Sequence, residues 1–100
     1  MGRASNQRRA SRAGVLIPAT CRTATGRRGD VTIVDLTAQG CRLFTRAVPL
    51  SAGLRLRIRP QDFESLPGVV RWVRQGFAGI EFDRPLYEPV AEHLQRVFGR

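Results

Sequence analysis

The chain contains no lysine, and several other residue types are scarce. Its 100 residues include one histidine, two cysteines, one tryptophan and one tyrosine. No apolar run approaches the roughly 20 residues needed to cross a bilayer, and the N-terminus lacks the apolar stretch of a signal peptide. We therefore expect no membrane insertion and a cytoplasmic location.

The few cysteine and histidine residues argue against metal binding and catalysis. Cys21 and Cys41 lack the close Cys-x-x-Cys spacing of a zinc site, and both fall on predicted strands, where we expect reduced, buried thiols. His93 lies on a predicted helix and has no acid–base partner at a recognisable spacing. We therefore predict no catalytic residue, no metal, no cofactor and no enzymatic activity.

Positive charge is what the chain has in excess. Seventeen arginines against eight acidic residues give a formal net charge of +9 at pH 7. This charge favours an anionic partner, but nucleic acid, an anionic membrane surface and a small phosphate ligand all satisfy it. The content of 42% hydrophobic and 25% charged residues is typical of a folded globular chain.

The length allows one folded domain and a short arm. One hundred residues are too few for two independent cores. Residues 1–13 are polar, small and basic, which predicts a flexible arm without a place in the core. Residues 14–100 then form the domain.

Six short segments are rich in strand-forming residues, and several of them alternate apolar with polar side chains, which predicts six strands. The clearest alternation runs from Leu54 to Arg59. In the fifth segment Val70 and Trp72 share a face, so we expect Trp72 in the core. Six antiparallel strands favour a closed barrel, because closure removes exposed edges. The predicted strands cover residues 15–22, 31–34, 41–45, 54–59, 68–74 and 77–82.

The last segment has a helical period. Pro89 suits a first helical turn, and the stripe formed by Val90, Leu94, Val97 and Phe98 predicts a C-terminal helix that packs on the barrel.

Two short motifs carry recognisable chemistry. Arg8-x-x-x-Arg12 precedes the first strand, and guanidinium groups suit phosphates and purine faces. Asp35-x-Thr37-x-x-Gly40 follows the second strand, and a carboxylate can accept hydrogen bonds from N1 and N2 of guanine. Without a ligand, the first motif would be a solvated basic tail and the second an ordinary turn.

Together the two motifs resemble the PilZ-domain family, bacterial receptors for the second messenger cyclic di-GMP. The resemblance continues through Gly53, the segment Val69-Val70-Arg71-Trp72 and the segment Gly79-Ile80-Glu81-Phe82. It implies a mainly β fold, a six-stranded antiparallel β-barrel with a C-terminal α-helix. Thr37 stands where the family usually has serine; it keeps the hydroxyl and adds a methyl group.

The resemblance also implies a site and a function. The arm would close over the nucleotide, and its ordering would change association with a protein partner. The implied cyclic di-GMP ligands are Arg8, Arg9 as an auxiliary, Arg12, Asp35, Thr37, Gly40 and Gly79.

Two other functions stay open. A small basic barrel can bind nucleic acid, usually by stacking bases on aromatic residues, but this chain has few of them, so nucleic acid is not the expected partner. A degenerate PilZ-like protein that binds no nucleotide would act as a protein–protein adaptor.

Overall fold

Alternation of apolar and polar side chains builds the strands of the computed structural model, which describes residues 13–99. Neighbouring strands are antiparallel and close a barrel in the order β1-β2-β3-β6-β5-β4. The predicted six-stranded antiparallel barrel with a C-terminal helix is confirmed. The elements are β1 (Ala13–Thr23), β2 (Arg28–Leu36), β3 (Gly40–Phe44), β4 (Arg55–Pro60), β5 (Leu66–Arg74), β6 (Phe77–Phe82) and α1 (Glu88–Phe98).

The inward faces of the strands fill the barrel with apolar side chains. Ile17, Ile33, Leu43 and Ile58 are fully buried. The arginines that alternate with the apolar residues of β4 point to solvent, as predicted. Cys21 and Cys41 are buried free thiols, which confirms their place in the core.

Strand β5 departs from the predicted alternation at its centre. Val70 pairs with Ile80, whereas Trp72 pairs with Gly79, so the register shifts between the two residues. This irregularity places Arg71 as an extra residue on β5 and turns Trp72 out of the barrel, where it is 43% exposed. The prediction of a core Trp72 is therefore wrong, because a β-bulge breaks the alternation on which it depended.

Helix α1 covers one part of the barrel wall. Pro89 lies in its first turn, and the helix packs on β1. Leu94 and Ala91 are buried, but Val97 is 56% exposed. The prediction that Val97 packs on the barrel is wrong. Ala91 and Val97 lie on either side of Leu94 around the helix, and the helix is rotated so that Ala91, rather than Val97, faces the barrel.

The helix also contacts the end of β2. The side-chain amide of Gln95 donates a hydrogen bond of 2.8 Å to the carbonyl oxygen of Leu36. This bond fixes the backbone beside Asp35. Within residues 13–99, α1 is too short and too polar to span a bilayer.

Candidate functional site

A groove of about 370 Å³ opens on the outer surface where β2, β3, β5 and β6 meet. Asp35, Thr37, Gly40 and Gly79 all line it. The four candidate residues of the barrel therefore share one surface, although Gly79 is far from the other three in sequence. The remaining three candidates, Arg8, Arg9 and Arg12, lie outside the described residues, as does most of the predicted arm.

Asp35 forms an ion pair across the β2–β3 hairpin. It lies opposite Arg42 in the strand register, and its Oδ2 is 2.6 Å from Nη2 of Arg42. The Asp35 side chain is 17% exposed, and that of Arg42 is 41% exposed. The pair holds the carboxylate in place at the edge of the groove, since Arg42 approaches it from the neighbouring strand.

Arg42 has hydrogen-bonding capacity left over. Its Nε is buried and has no hydrogen-bond partner within residues 13–99. Its guanidinium carbon lies 5.6 Å from the centroid of the Phe77 ring, within the range of a cation–π contact. A buried donor without a partner is costly, and it is the exposed part of the Arg42 side chain, rather than Nε, that a ligand in the groove could contact.

Thr37 closes the turn between β2 and β3. Its backbone N–H donates to the Gly40 carbonyl oxygen at 2.9 Å, and its Oγ1 accepts a hydrogen bond of 3.2 Å from the Gln39 N–H. The Oγ1 also donates to the Gly40 carbonyl at 3.4 Å, which is long for a hydroxyl. The other two bonds are enough to form the turn. The Thr37 hydroxyl can therefore rotate and donate its hydrogen to a ligand instead of to Gly40.

The turn is held by the end of β6 and by the segment that follows it. The Phe82 N–H donates to the Gln39 carbonyl at 2.9 Å, and the Leu86 N–H donates to the Ala38 carbonyl at 2.7 Å. Ala38 itself is buried. The motif loop is therefore fixed from behind, and its exposed groups keep a defined position beside the groove.

Gly40 is required by strand packing. A Cβ at this position would overlap the carbonyl oxygen of Ile80 on β6. The glycines of positive φ among the described residues are Gly26, Gly53 and Gly76, so Gly40 does not supply an unusual backbone conformation. The shape of the turn thus comes from Thr37, while Gly40 allows β3 to approach β6.

Trp72 lies against Gly79 on the outside of the barrel. A Cβ on Gly79 would overlap three atoms of the indole, Nε1, Cε2 and Cδ1. The five-membered ring of the indole therefore lies over the Gly79 backbone, and the partly exposed ring system lines the groove. The missing side chain of Gly79 makes room for an aromatic surface.

Charges within the groove balance. Arg71 Nε donates to Glu81 Oε1 at 2.6 Å, and this pair lines the groove together with Asp35 and Arg42. Two cationic and two anionic side chains give this surface no formal net charge. A phosphate-bearing ligand would need further positive charges from residues that do not line this groove.

Cys41 also lines the groove, but its thiol is not set up for reaction. Burial raises the pKa of Cys41 strongly, and the neighbouring Cys21 raises it further. The protonated thiol is a poor nucleophile. No cluster of three potential metal ligands occurs among residues 13–99.

The fold is a small six-stranded barrel domain, and its groove has a volume within the range of small-molecule sites. Comparison with known families matches residues 6–99 to the PilZ domain, and the chain belongs to this family. PilZ domains are receptor modules, generally for cyclic di-GMP, and not enzymes. The comparison with curated proteins gave no match.

Sequence reasoning missed Arg42 and Trp72 as groove residues. The position of Arg42 could have been predicted from the sequence, because a hairpin closed between Thr37 and Gly40 places residue 42 opposite Asp35. The outward position of Trp72 could not have been predicted, because the sequence has no glycine or proline that would mark the bulge turning it outward.

Proposed function

We propose that the groove binds cyclic di-GMP and that the protein is a receptor without a chemical step of its own. The observation that supports this most strongly is the convergence of Asp35, Thr37, Gly40 and Gly79 on one groove. These residues come from two distant parts of the chain, and the family to which the chain belongs generally binds this nucleotide.

The barrel wall would recognise guanine. The Asp35 carboxylate accepts hydrogen bonds from N1–H and N2–H of the base, which adenine cannot offer in the same positions. The Thr37 hydroxyl adds a donor or acceptor at the same edge. The indole of Trp72 supplies a flat surface for stacking, and the partly exposed Arg42 side chain supplies N–H donors.

The arm would bind the phosphates. The described groove has no net charge, whereas the nucleotide carries two phosphodiester charges. Arg8 and Arg12 supply the missing cations, and guanidinium groups form forked hydrogen bonds with phosphate oxygens. Arg9 is auxiliary. In this division of roles, neither the wall nor the arm is sufficient alone.

Ligand binding would act through the arm. Ordering a polar segment costs conformational entropy, which only the bound anion offsets. The ordered arm then creates or covers a surface for a partner protein, so that nucleotide concentration controls association.

Isothermal titration calorimetry with cyclic di-GMP tests this proposal. Wild type is compared with Arg12→Ala and Asp35→Ala, and Arg74→Ala is the matched control because it removes the same charge as Arg12→Ala from an exposed position outside the groove. We expect both site variants to bind at least about tenfold more weakly, a loss of about 1.4 kcal/mol. The control should stay within about twofold of wild type.

Three outcomes would contradict different parts of the proposal. Equal affinities for wild type and Arg12→Ala would end the assignment of the arm. A folded wild type that releases no heat would overturn the receptor function and leave the non-binding adaptor. Cyclic di-AMP is the control ligand, and binding as tight as that of cyclic di-GMP would contradict guanine recognition by Asp35.

A further inference from the structure

Three arginines form a straight row across the outer face of β2, β1 and β4. Arg22 on β1 lies directly opposite Arg28 on β2 and directly opposite Arg57 on β4. All three side chains are exposed. We call Arg28, Arg22 and Arg57 the arginine row. Adjacent strands are about 5 Å apart, so the three charges are held close together.

The row is not neutralised by the rest of the barrel. None of its three side chains makes a hydrogen bond or an ion pair within the described part of the chain. Like charges directly opposite each other on a sheet are destabilising. The barrel therefore carries two unfavourable cross-strand pairs that a neutral residue would relieve, and an anion bound at the row would relieve them as well.

A groove of about 460 Å³ runs beside the row. Arg22 and Arg57 line this groove together with Arg55 and Asp83. Nη2 of Arg55 lies 2.5 Å from Oδ2 of Asp83, so one arginine of the groove already holds a carboxylate. Arg22 and Arg57 offer the same chemistry beside it, with both guanidinium groups still available.

We propose that this groove binds an acidic segment of a partner protein, whose Asp or Glu side chains pair with Arg22 and Arg57. Guanidinium groups form paired hydrogen bonds with carboxylates, which gives direction as well as attraction. A nucleic acid fits the groove less well. The groove has no aromatic side chain on which a base could stack.

The position of the row leaves the candidate nucleotide groove accessible. In the ring order of the barrel, β1 and β4 lie three strands away from β6 and β3, respectively. The groove that would hold the acidic segment shares no lining residue with the groove that carries Gly40 and Gly79. The two surfaces are separate, and this proposal does not depend on nucleotide binding.

Fluorescence polarisation with a labelled polyglutamate peptide tests the proposal. The row variant Arg22→Gln/Arg57→Gln is compared with Arg74→Gln/Arg84→Gln, which also removes two exposed positive charges but from positions outside both grooves. We expect the row variant to bind the peptide at least about tenfold more weakly and the control variant to stay within about twofold of wild type. Equal losses in the two variants would overturn the proposal, because only overall charge would then matter.

A labelled DNA duplex measured in parallel separates the two classes of partner. A row variant that loses DNA binding while its affinity for polyglutamate is unchanged would overturn the proposal in favour of a nucleic acid. Loss of folding is checked by thermal denaturation. The row variant should melt no lower than wild type, because the substitution relieves repulsion, and Arg57→Gln alone should show a smaller loss of peptide affinity in the same direction.

Discussion

Gly79 and Trp72 act as a pair at the scale of single residues. The indole occupies the space that a side chain on Gly79 would need. The sequence marked Gly79 as a possible ligand contact, and the structure adds a second reason for glycine at this position. The orientation of the aromatic ring depends on the absence of a single methyl group.

Gly79→Ala should displace the indole of Trp72. We expect a loss of stability of about 1 to 3 kcal/mol, since an added methyl group forces its neighbours to move. Trp72 is the only tryptophan, so the fluorescence emission maximum reports its environment directly. Val73→Ala, an exposed change on the same strand, is the control and should leave the emission maximum in place. An unchanged emission spectrum in Gly79→Ala would contradict the contact.

The two buried thiols should make stability depend on alkaline pH. Burial raises the pKa of Cys21 from its ordinary value of 9.0 to about 11, and burial with the adjacent Cys21 raises that of Cys41 as well. Below pH 9 both folded and unfolded chains keep the thiol protons. Above pH 9 the unfolded chain releases protons that the folded chain retains, so the free energy of unfolding falls as the pH rises towards 11.

Urea unfolding at several pH values between 8 and 11 measures this effect. The expected slope is about 1.4 kcal/mol per pH unit for each thiol. Cys21→Ala/Cys41→Ala is the comparison, and its slope should be smaller over this range. An identical slope in the variant would show that the thiols are not responsible.

At the scale of secondary structure, the strands were predictable because a closed barrel has one inside and one outside. The alternation in β4 and in β6 predicts which face of each strand is buried, and both predictions are confirmed. Bulges are different, since they depend on how two strands pair. The shift between Val70 and Trp72 therefore could not be derived from β5 alone.

The sequence correctly predicted that Leu94 packs on the barrel, but it did not predict how the helix is rotated about its axis. Leu94 lies at the centre of the contact, as the apolar stripe indicates. Small Ala91 allows close approach on one side, and Val97 is left outside. Helical periodicity gives the face of a helix only to within about one residue position, which is about 100° of rotation.

Leu94→Ala should destabilise the domain by about 2 to 5 kcal/mol, because it removes a buried side chain between helix and barrel. Val97→Ala, on the same helix, should change stability by less than about 0.5 kcal/mol, since that side chain is exposed. Thermal or urea unfolding of the two variants measures both. A similar loss for the two would mean that the helix packs through a different face.

At the scale of the whole molecule, the barrel carries the two proposed binding surfaces on separate groups of residues. The motif residues of the nucleotide groove were predictable from their order in the sequence, because the family resemblance places them together. The arginine row was not. Arg22, Arg28 and Arg57 are distant in sequence, and only the pairing of β1 with both β2 and β4 aligns them.

The central claim is that one wall of the barrel, formed by the ends of β2, β3, β5 and β6, binds cyclic di-GMP. The most direct test is a titration of the isotopically labelled protein with the nucleotide, followed by two-dimensional NMR of its N–H groups. We predict shifts at Asp35, Gly40 and Gly79, at the indole N–H of Trp72, and in the arm around Arg12. Shifts confined to β1 and β4, or no shifts at all, would contradict the account.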